Sequence, residues 1–327
     1  MRSPVKAIFC SKLAIATALV VGATPVAAQT LQGTIDSSTG IGAIAFAPGG
    51  TSINVTSSQA VINWTATGPS SGGSTTFQSA GTTATFYGTS NFAVLNRVSP
   101  TVGTDTILMN GTINSLVNGR VGGTVYFYSP NGIIIGDSAR FNVGSLGLTT
   151  SPIADVSGVW MSGFGTPSSR VDFALANAGS FIRTDGLAEL NANGAGNYVA
   201  LVAPRIDHGG TIRTDGGAAL VGAAGATITF RTNNLYDIEV TTGSADGNGV
   251  VVGGGTIERN SAVIGGDRRA YLVAVPANDA MTLLVYGGAT LGFDIAGSAG
   301  VEGNAVVLSA GGNIYGGDAV AGAEEFA

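Results

Sequence analysis

Two aspartates are the residues of this sequence that most readily suggest catalysis. Asp185 and Asp215 each stand third in an Arg-Thr-Asp-Gly tetrapeptide, thirty residues apart. On corresponding turns of a repeating fold, two carboxylates could act as the acid and the base that cleave a glycosidic bond. The alternative is that each Asp-Gly pair forms a turn, with the carboxylate bonded to its own backbone. Because repetition is typical of architecture, we favour the turn.

His208 is the only histidine, so a triad of nucleophile, histidine and acid would depend on it. The alternative, which we favour, is a turn residue between two strands. The only cysteine, Cys10, lies near the N-terminus, which leaves few ligands for a soft metal in the rest of the chain. We therefore predict no catalytic residue, no metal site, no cofactor and no enzymatic activity.

The elements that position these residues are expected to be short strands. Glycine is frequent, with 52 of 327 residues, while apolar residues reach 44% and charged residues only 10%. A disordered chain lacks so many core-forming residues, so the composition predicts an all-β fold with many turns. The net charge is −6 and no basic run occurs, which argues against a nucleic-acid partner.

Residues 1–28 have the pattern of a secretory signal peptide. Arg2, Lys6 and Lys12 precede or flank the apolar stretch 13–23, which small residues follow before Gln29. The apolar stretch is too short for a comfortable membrane span. We predict that the leader, with Cys10, is removed on export and that the mature chain has no disulfide.

A strand, a turn and a second strand are predicted over residues 125–136. Residues 125–128 are β-branched or aromatic, which favours a half-buried strand. Ser129-Pro130-Asn131-Gly132 fits a type I turn, in which the serine side chain bonds back to the backbone. Ile133 then opens an apolar run that is too short for a helix.

Further short motifs surround this turn, and their order is distinctive. They are Val61–Trp64, Val94–Val98, Gly111–Ile113, Asn118–Arg120, Val125–Ile133 and Asn142–Leu146. Behind a signal peptide, this series resembles the N-terminal secretion domain of two-partner-secretion exoproteins, the filamentous-haemagglutinin family. The family's Asn-Pro-Asn-Gly-Ile motif corresponds to Ser129, Pro130, Asn131, Gly132 and Ile133, with serine replacing the first asparagine. Supporting family-like positions are Asn63, Trp64, Leu95, Asn96, Arg97, Val98, Asn142, Val143 and Gly144.

The resemblance covers residues 29–150 and implies a right-handed parallel β-helix. It also implies that the unfolded chain passes from the periplasm across the outer membrane through a partner transporter with POTRA domains. The protein would then be extracellular or on the cell surface, as an adhesin or haemagglutinin-like protein with a receptor on a host or neighbouring cell. Two alternatives stay open: a β-helical polysaccharide lyase or hydrolase, and the export portion of a contact-dependent toxin.

The second half of the sequence repeats itself. Residues 182–186 are echoed by residues 212–216, thirty positions later, and such a period indicates a solenoid whose coils bury their apolar faces against each other. We predict that residues 151–327 continue the β-helix after an irregular excursion at 151–169. We also expect an insertion at 235–248 and further coils beyond the last residue.

Overall fold

The computed structural model describes residues 30–194, 196–231, 236–246, 249–259, 269–275 and 277, with the strand segments 283–286, 290–291, 305–310, 314–316 and 324–326. The leader predicted at residues 1–28 lies outside this part. In the described residues every regular element is a β-strand. None of them forms a helix long and apolar enough to cross a membrane.

The first half of the described chain forms strands β1 to β15. They are β1 Gly33–Thr39, β2 Ile41–Ala47, β3 Gly50–Val55, β4 Gln59–Ala66, β5 Ser70–Ser71, β6 Ser74–Gln78, β7 Thr83–Gly88, β8 Ala93–Pro100, β9 Thr106–Met109, β10 Thr112–Val117, β11 Arg120–Val121, β12 Thr124–Tyr128, β13 Gly132–Ile135, β14 Arg140–Val143 and β15 Ser145–Thr149.

The second half forms strands β16 to β32. They are β16 Ser168–Phe173, β17 Phe181–Thr184, β18 Glu189–Ala192, β19 Tyr198–Ala203, β20 Arg205–His208, β21 Thr211–Thr214, β22 Gly217–Gly222, β23 Gly225–Arg231, β24 Tyr236–Thr242, β25 Val250–Gly253, β26 Thr256–Arg259, β27 Arg269–Ala274, β28 Leu283–Tyr286, β29 Thr290–Leu291, β30 Ala305–Ala310, β31 Ile314–Gly316 and β32 Glu324–Phe326.

Three long sheets run along the molecule. Sheet 1 has the order β1-β4-β8-β12-β15-β19-β22-β27-β30, and sheet 2 the order β2-β3-β7-β10-β14-β18-β21-β26-β29. Sheet 3 has the order β5-β6-β9-β13-β17-β20-β25-β28-β31-β32. Each coil contributes one strand to sheet 2, then sheet 1, then sheet 3, and successive coils pair in parallel. The predicted all-β parallel β-helix is confirmed.

The interior of the coils is a continuous apolar core. On sheet 1, Val94, Val125, Leu146 and Val199 are fully buried and lie in register on successive strands. Stacking equivalent positions in this way removes each side chain from water, at about 1.5–3 kcal/mol per large apolar residue. The same cluster extends from Leu31 to Ala274 without interruption at residue 150.

The N-terminal end of the solenoid is covered by antiparallel strands. β1 pairs with β4 and β2 with β3, each against the first strand of the parallel series. Sheet 3 is covered at the same end by the two-residue strand β5, which pairs with β6. Since unpaired strand edges invite association with other chains, these pairings protect the end of the helix.

A second apolar core lies on the outside of sheet 1. Its floor is an in-register row of outward side chains that includes Val61, Leu95 and Tyr126. Two excursions cover the row: residues 150–180, which contain β16, and residues 223–249, which contain β23 and β24. Those three strands form an antiparallel sheet of their own. The insertion predicted at 235–248 is thus confirmed for its described residues, and the excursion at 151–169 is also found.

Both excursions leave the solenoid at the corner between a strand of sheet 1 and the next strand of sheet 3. Between sheet 1 and sheet 3 the connections range from residue 204 alone to the excursions 150–180 and 223–249. Between sheet 3 and sheet 2 they are short, such as residues 110–111, 136–139 and 209–210. The long connections among these therefore lie at the corner after sheet 1.

The thirty-residue repeat belongs to the predicted solenoid, but its two copies do not occupy corresponding positions. Its first copy lies on β17 in sheet 3 and its second on β21 in sheet 2. The strand that stacks on β17 is β20, so Thr184 faces His208 rather than Thr214. The alternative in which the two aspartates lie on corresponding turns is therefore wrong, because similar strand-and-turn sequences recur within one coil as well as between coils.

Candidate functional site

The motif at residues 129–133 lies at a corner between two sheets. β12 ends at Tyr128 in sheet 1 and β13 begins at Gly132 in sheet 3. β12 pairs with β8 and β15, and β13 pairs with β9 and β17. The predicted order of two strands with a change of direction between them is therefore confirmed, at the type of corner from which the excursions leave elsewhere. Residues 130 and 131 form a bend, and no backbone hydrogen bond closes the predicted type I turn.

Ser129 differs from its prediction. Its backbone N–H donates to the carbonyl oxygen of Thr149 on the next coil, at 3.1 Å. Its hydroxyl is fully buried and has no hydrogen-bond partner, so the expected bond back to the turn was wrong. The reason is that the two strands diverge into different sheets, and the corner bonds to neighbouring coils instead of closing on itself. A buried hydroxyl without a partner costs about 1–3 kcal/mol.

Asn131 fixes the preceding corner. Its side-chain nitrogen donates to the carbonyl oxygens of Gly103 at 2.7 Å and Asp105 at 3.1 Å. On the other side, the carbonyl oxygen of Pro130 accepts a bond from the Asn177 side chain at 3.2 Å. The motif therefore connects three successive corners through side-chain and backbone bonds.

The backbone conformation at position 132 requires a glycine. Its φ is +152°, and an added Cβ would lie 2.8 Å from Thr106 Cγ2 and 2.9 Å from the Phe181 carbonyl oxygen. Both neighbours belong to adjacent strands of sheet 3. Ile133, the next residue, is fully buried between Ile107 and Ile182 in register. The motif thus turns the chain in a space too small for a side chain and then enters the core.

Two of the family-like positions bind consecutive coils together inside the protein. Trp64 Nε1 donates to Asn96 Oδ1 at 3.1 Å, and Asn96 Nδ2 donates to the Tyr126 carbonyl oxygen at 3.1 Å. Trp64 and Asn96 are buried, as are the neighbouring Leu95 and Val98. Because a buried amide needs such partners, this chain of bonds fixes the register of β4, β8 and β12.

Arg97 reaches out of sheet 1 to the first excursion. Its guanidinium donates to the Ile153 carbonyl oxygen at 2.7 Å and pairs with Asp155 at 2.7 Å. The same excursion is held at Gln59, whose side chain accepts from the N–H groups of Trp160 and Met161 and donates to the Met161 carbonyl oxygen. These contacts attach residues after 150 to the coils before it.

The remaining family-like positions have structural contacts as well. Asn63 Nδ2 donates to Ser37 Oγ at 2.7 Å, which ties β4 to the covering strand β1. Asn142 belongs to an amide ladder on the outside of sheet 2, with bonds of 3.3 Å to Asn114 and to Asn191. Val143 is buried, and Gly144 lies so close to the turn before β12 that a Cβ would be 2.3 Å from the Gly123 carbonyl oxygen.

The two aspartates follow strands of different sheets. Asp185 comes after β17 of sheet 3 and pairs with Arg183 at 2.9 Å. Asp215 comes after β21 of sheet 2 and accepts from the Gly194 N–H at 3.3 Å. The chain turns after Asp185, where the Ala188 N–H donates to the Asp185 carbonyl oxygen, but the two carboxylates bond to Arg183 and to the backbone at Gly194 instead of to their own turns as predicted. The repeat does not place the two aspartates on corresponding turns.

His208 lies at the end of strand β20, and its side chain is 1% exposed. Its Nδ1 is 2.7 Å from Thr184 Oγ1 and its Nε2 is 3.1 Å from the Thr256 carbonyl oxygen. The second contact requires a proton on Nε2, so Nδ1 accepts from the threonine hydroxyl. Burial lowers the pKa of His208 to about 4, which keeps the ring neutral.

Residues 68–72 read Gly-Pro-Ser-Ser-Gly, which fits the Gly-x-Ser-x-Gly pattern of a nucleophile elbow. Such an elbow needs a turn from a strand into a helix, whereas here the pentapeptide contains β5 and leads into β6. The Ser70 hydroxyl donates to the carboxylate of Asp105. Among the described residues, no group of three histidine, cysteine or acidic side chains could hold a metal ion.

A cavity beside the corner had no signal in the sequence. It has a volume of about 480 Å³ and is lined by Asn131 together with Asn177, Phe181 and Arg183. Asn177 lies at the end of the first excursion and the other two lie on β17, so only the stacking of β17 on β13 brings them to the motif. Knowledge of the strands without their pairing would not have predicted that these residues lie beside the motif.

The chain is similar to two solved secretion domains. One is the HMW1 secretion domain from Haemophilus influenzae, with 19% identity, a TM-score of 0.47, and coverage of 80% of this chain and 65% of that one. The other is the filamentous hemagglutinin secretion domain, with 15% identity, a TM-score of 0.37, and coverage of 88% and 99%. The chain thus spans less than two thirds of the HMW1 domain. No family model and no curated protein matches the sequence.

Proposed function

We propose that this chain is an exoprotein exported by the two-partner route, and that residues 29–150 contain the segment its transporter recognises. The observation that carries the proposal is the ordered series of motifs from Val61 to Leu146. In the folded protein these motifs occupy consecutive coils, on β4, β8, β10, the corner after β12, and β14 with β15. The resemblance therefore follows the architecture coil by coil, which supports more than a chance match of short peptides.

The contacts of the motif suggest how export and folding are linked. In the unfolded chain, the Asn131 side chain and the backbone of residues 129–133 are open to a partner such as a POTRA domain. After export, the same groups bond to Gly103, Asp105 and Asn177. Folding would thereby withdraw the recognised groups from the transporter and make release irreversible. A mature chain without cysteine suits this route, since no disulfide can form in the periplasm.

We further propose that the exported protein acts as a surface adhesin rather than as an enzyme or a toxin. In favour of this, Asp185 and Asp215 follow strands of different sheets, whereas glycosidases bring two carboxylates to opposite sides of one bond. The receptor of an adhesin would lie on a host or neighbouring cell.

Expression with and without a transporter tests the export proposal. The full chain is produced in a bacterium with two membranes that lacks transporters of this class, and then together with each candidate transporter from the source genome. We expect a processed chain in the periplasm in the first case and protease-accessible protein outside the cell in the second. Appearance of the chain in the medium without a transporter would refute the proposal.

Variants of the corner separate recognition from folding. Asn131→Ala removes the proposed recognition group, and Asn114→Ala is the matched control, since it removes an asparagine that also bonds a neighbouring coil. We expect lower export for Asn131→Ala at a refolding yield similar to that of the control. If export of both variants follows only their refolding yields, the corner has no special role in recognition.

A further inference from the structure

The cavity beside the corner opens on the outer face of sheet 3. Its floor is formed by Thr106 on β9, Ile134 on β13 and Phe181 on β17. One wall comes from the turn at Gly72 and Gly73, and the other from residues 177–180. Both walls are connections outside the strands, so stacked strands form the floor and loops form the walls. Its volume of about 480 Å³ lies in the range of small-molecule sites.

Several polar atoms at the cavity are not used within the protein. The side-chain amide nitrogen of Asn131 donates both of its hydrogens, to the carbonyl oxygens of Gly103 and Asp105. Its Oδ1 is left as an acceptor. The side chain of Asn177 donates one N–H to the Pro130 carbonyl oxygen. Its other side-chain N–H and its Oδ1 are left as a donor and an acceptor. Arg183 pairs through Nε with Asp185, which leaves its terminal nitrogens as donors. Three residues that line the cavity therefore keep donors or acceptors that no other residue in the described part of the protein uses.

The same space has an apolar floor. Ile134 is 7% exposed and stands beside Arg183 in register, while Phe181 stands beside Gly132 and is half-buried. Gly132 lies between Thr106 and Phe181 in this row, and an added Cβ would lie 2.8 Å from Thr106 Cγ2 and 2.9 Å from the Phe181 carbonyl oxygen, so the floor is closed at this point. A sugar ring fits this combination, since its C–H face can lie on the apolar floor while the hydroxyl groups at its edge bond to the amides.

The charges of the residues that line the cavity limit the class of ligand that it can bind. Arg183 is the only basic residue that lines the cavity, and its charge is balanced by Asp185 at 2.9 Å. A phosphate or sulfate group would need an unbalanced cluster of cations. We propose that the cavity is a binding site for a neutral oligosaccharide. The proposal goes beyond the export function and does not depend on the route by which the chain leaves the cell.

Binding is tested with the full exported chain on an array of neutral, sialylated and sulfated oligosaccharides, followed by calorimetry with the best neutral binder. Arg183→Ala removes a donor at the cavity. Arg205→Ala is its matched control, because Arg205 forms the same kind of pair with Asp207 on the next strand and does not line the cavity. We expect a loss of about tenfold in affinity for Arg183→Ala, which corresponds to one hydrogen bond, and no change for Arg205→Ala.

A second pair of variants blocks the cavity without removing a bond. Ala178 is exposed and lines the cavity, whereas Leu175 is exposed on the same connection and does not. Ala178→Trp should abolish binding, and Leu175→Trp should leave it unchanged, with equal melting temperatures for both. The proposal is overturned if no neutral oligosaccharide binds, if only acidic ones bind, or if the cavity variants bind as well as their controls.

Discussion

Acid is expected to destabilise this protein through a single histidine. His208 is neutral in the folded state, where its Nδ1 accepts from Thr184 and its Nε2–H donates to Thr256. Protonation would turn Nδ1 into a donor. The Thr184 hydroxyl oxygen already accepts from the N–H groups of Gly209 and Gly210 at 3.2 and 3.3 Å, so it is poorly placed to accept another proton. The folded state therefore resists protonation.

The size of this loss in stability follows from the pKa of His208 in the folded and in the unfolded state. Burial lowers the pKa of His208 from 6.5 to about 4, so the unfolded chain binds its proton first as the pH falls. The contribution of the neutral histidine to stability is complete above pH 6.5 and is lost progressively down to about pH 4. At about 1.36 kcal/mol for each pKa unit, the loss in free energy of unfolding approaches about 3 kcal/mol.

Two measurements check this reasoning. Because His208 is the only histidine, its ring proton signals can be followed by NMR without assignment by mutagenesis, and we expect a midpoint near pH 4. Urea unfolding of the wild type and of His208→Gln at about pH 7 and about pH 5 should show that the wild type loses about 2 kcal/mol more than the variant. A midpoint near the ordinary histidine value in the folded protein, or equal losses in both proteins, would refute the argument.

Three further predictions concern the corner and the second core. Gly132→Ala should lower the free energy of unfolding by about 1–3 kcal/mol because of its positive φ, whereas Gly103→Ala, with open space around it, should change it by less than about 1 kcal/mol in denaturant titrations. Gln59→Ala leaves backbone groups of the first excursion without partners and should cost about 1–3 kcal/mol; Gln59→Glu, which keeps the two acceptor bonds, should cost less, and equal losses would contradict this. A chain ended after Thr150 should expose the outer row of sheet 1 and bind a hydrophobic dye that the full chain does not bind.

The strands and the solenoid could be predicted from the sequence because they depend on local patterns. Short apolar runs between glycine-rich turns indicate buried strands wherever they pair. The insertion before residue 249 was predicted for the same reason, since it interrupts the spacing. Pairing between coils was not accessible in this way: the copies of Arg-Thr-Asp-Gly look equivalent, yet they belong to different sheets because a coil contains three similar strands.

For the candidate site, the sequence predicted only the order of strand, change of direction and strand along the chain. Pro130 and Gly132 indicated a change of direction, and the structure contains one there. The loss of the expected Ser129 bond could not be predicted, because it depends on the divergence of the strands into two sheets. The second core had no signal either, since Tyr126 and Trp160 are far apart in the sequence and meet, with ring centroids at 4.8 Å, only after the excursion folds back.

The corner after sheet 1 has a consequence for how this chain could diversify. β13 and β17 are neighbours in register, although the connection before β13 is residues 129–131 and the one before β17 is residues 150–180. Closing a loop costs only about 0.6 kcal/mol more for each doubling of its length, and the short corners after sheet 3 keep the coils aligned. New segments can therefore be acquired at this corner without disturbing the stack. For display of a foreign peptide, the buried single-residue connection at Pro204 is less suitable than the exposed turn at Gly165 in the first excursion, where no other residue lies near and Gly165 itself, with φ +83°, would be kept.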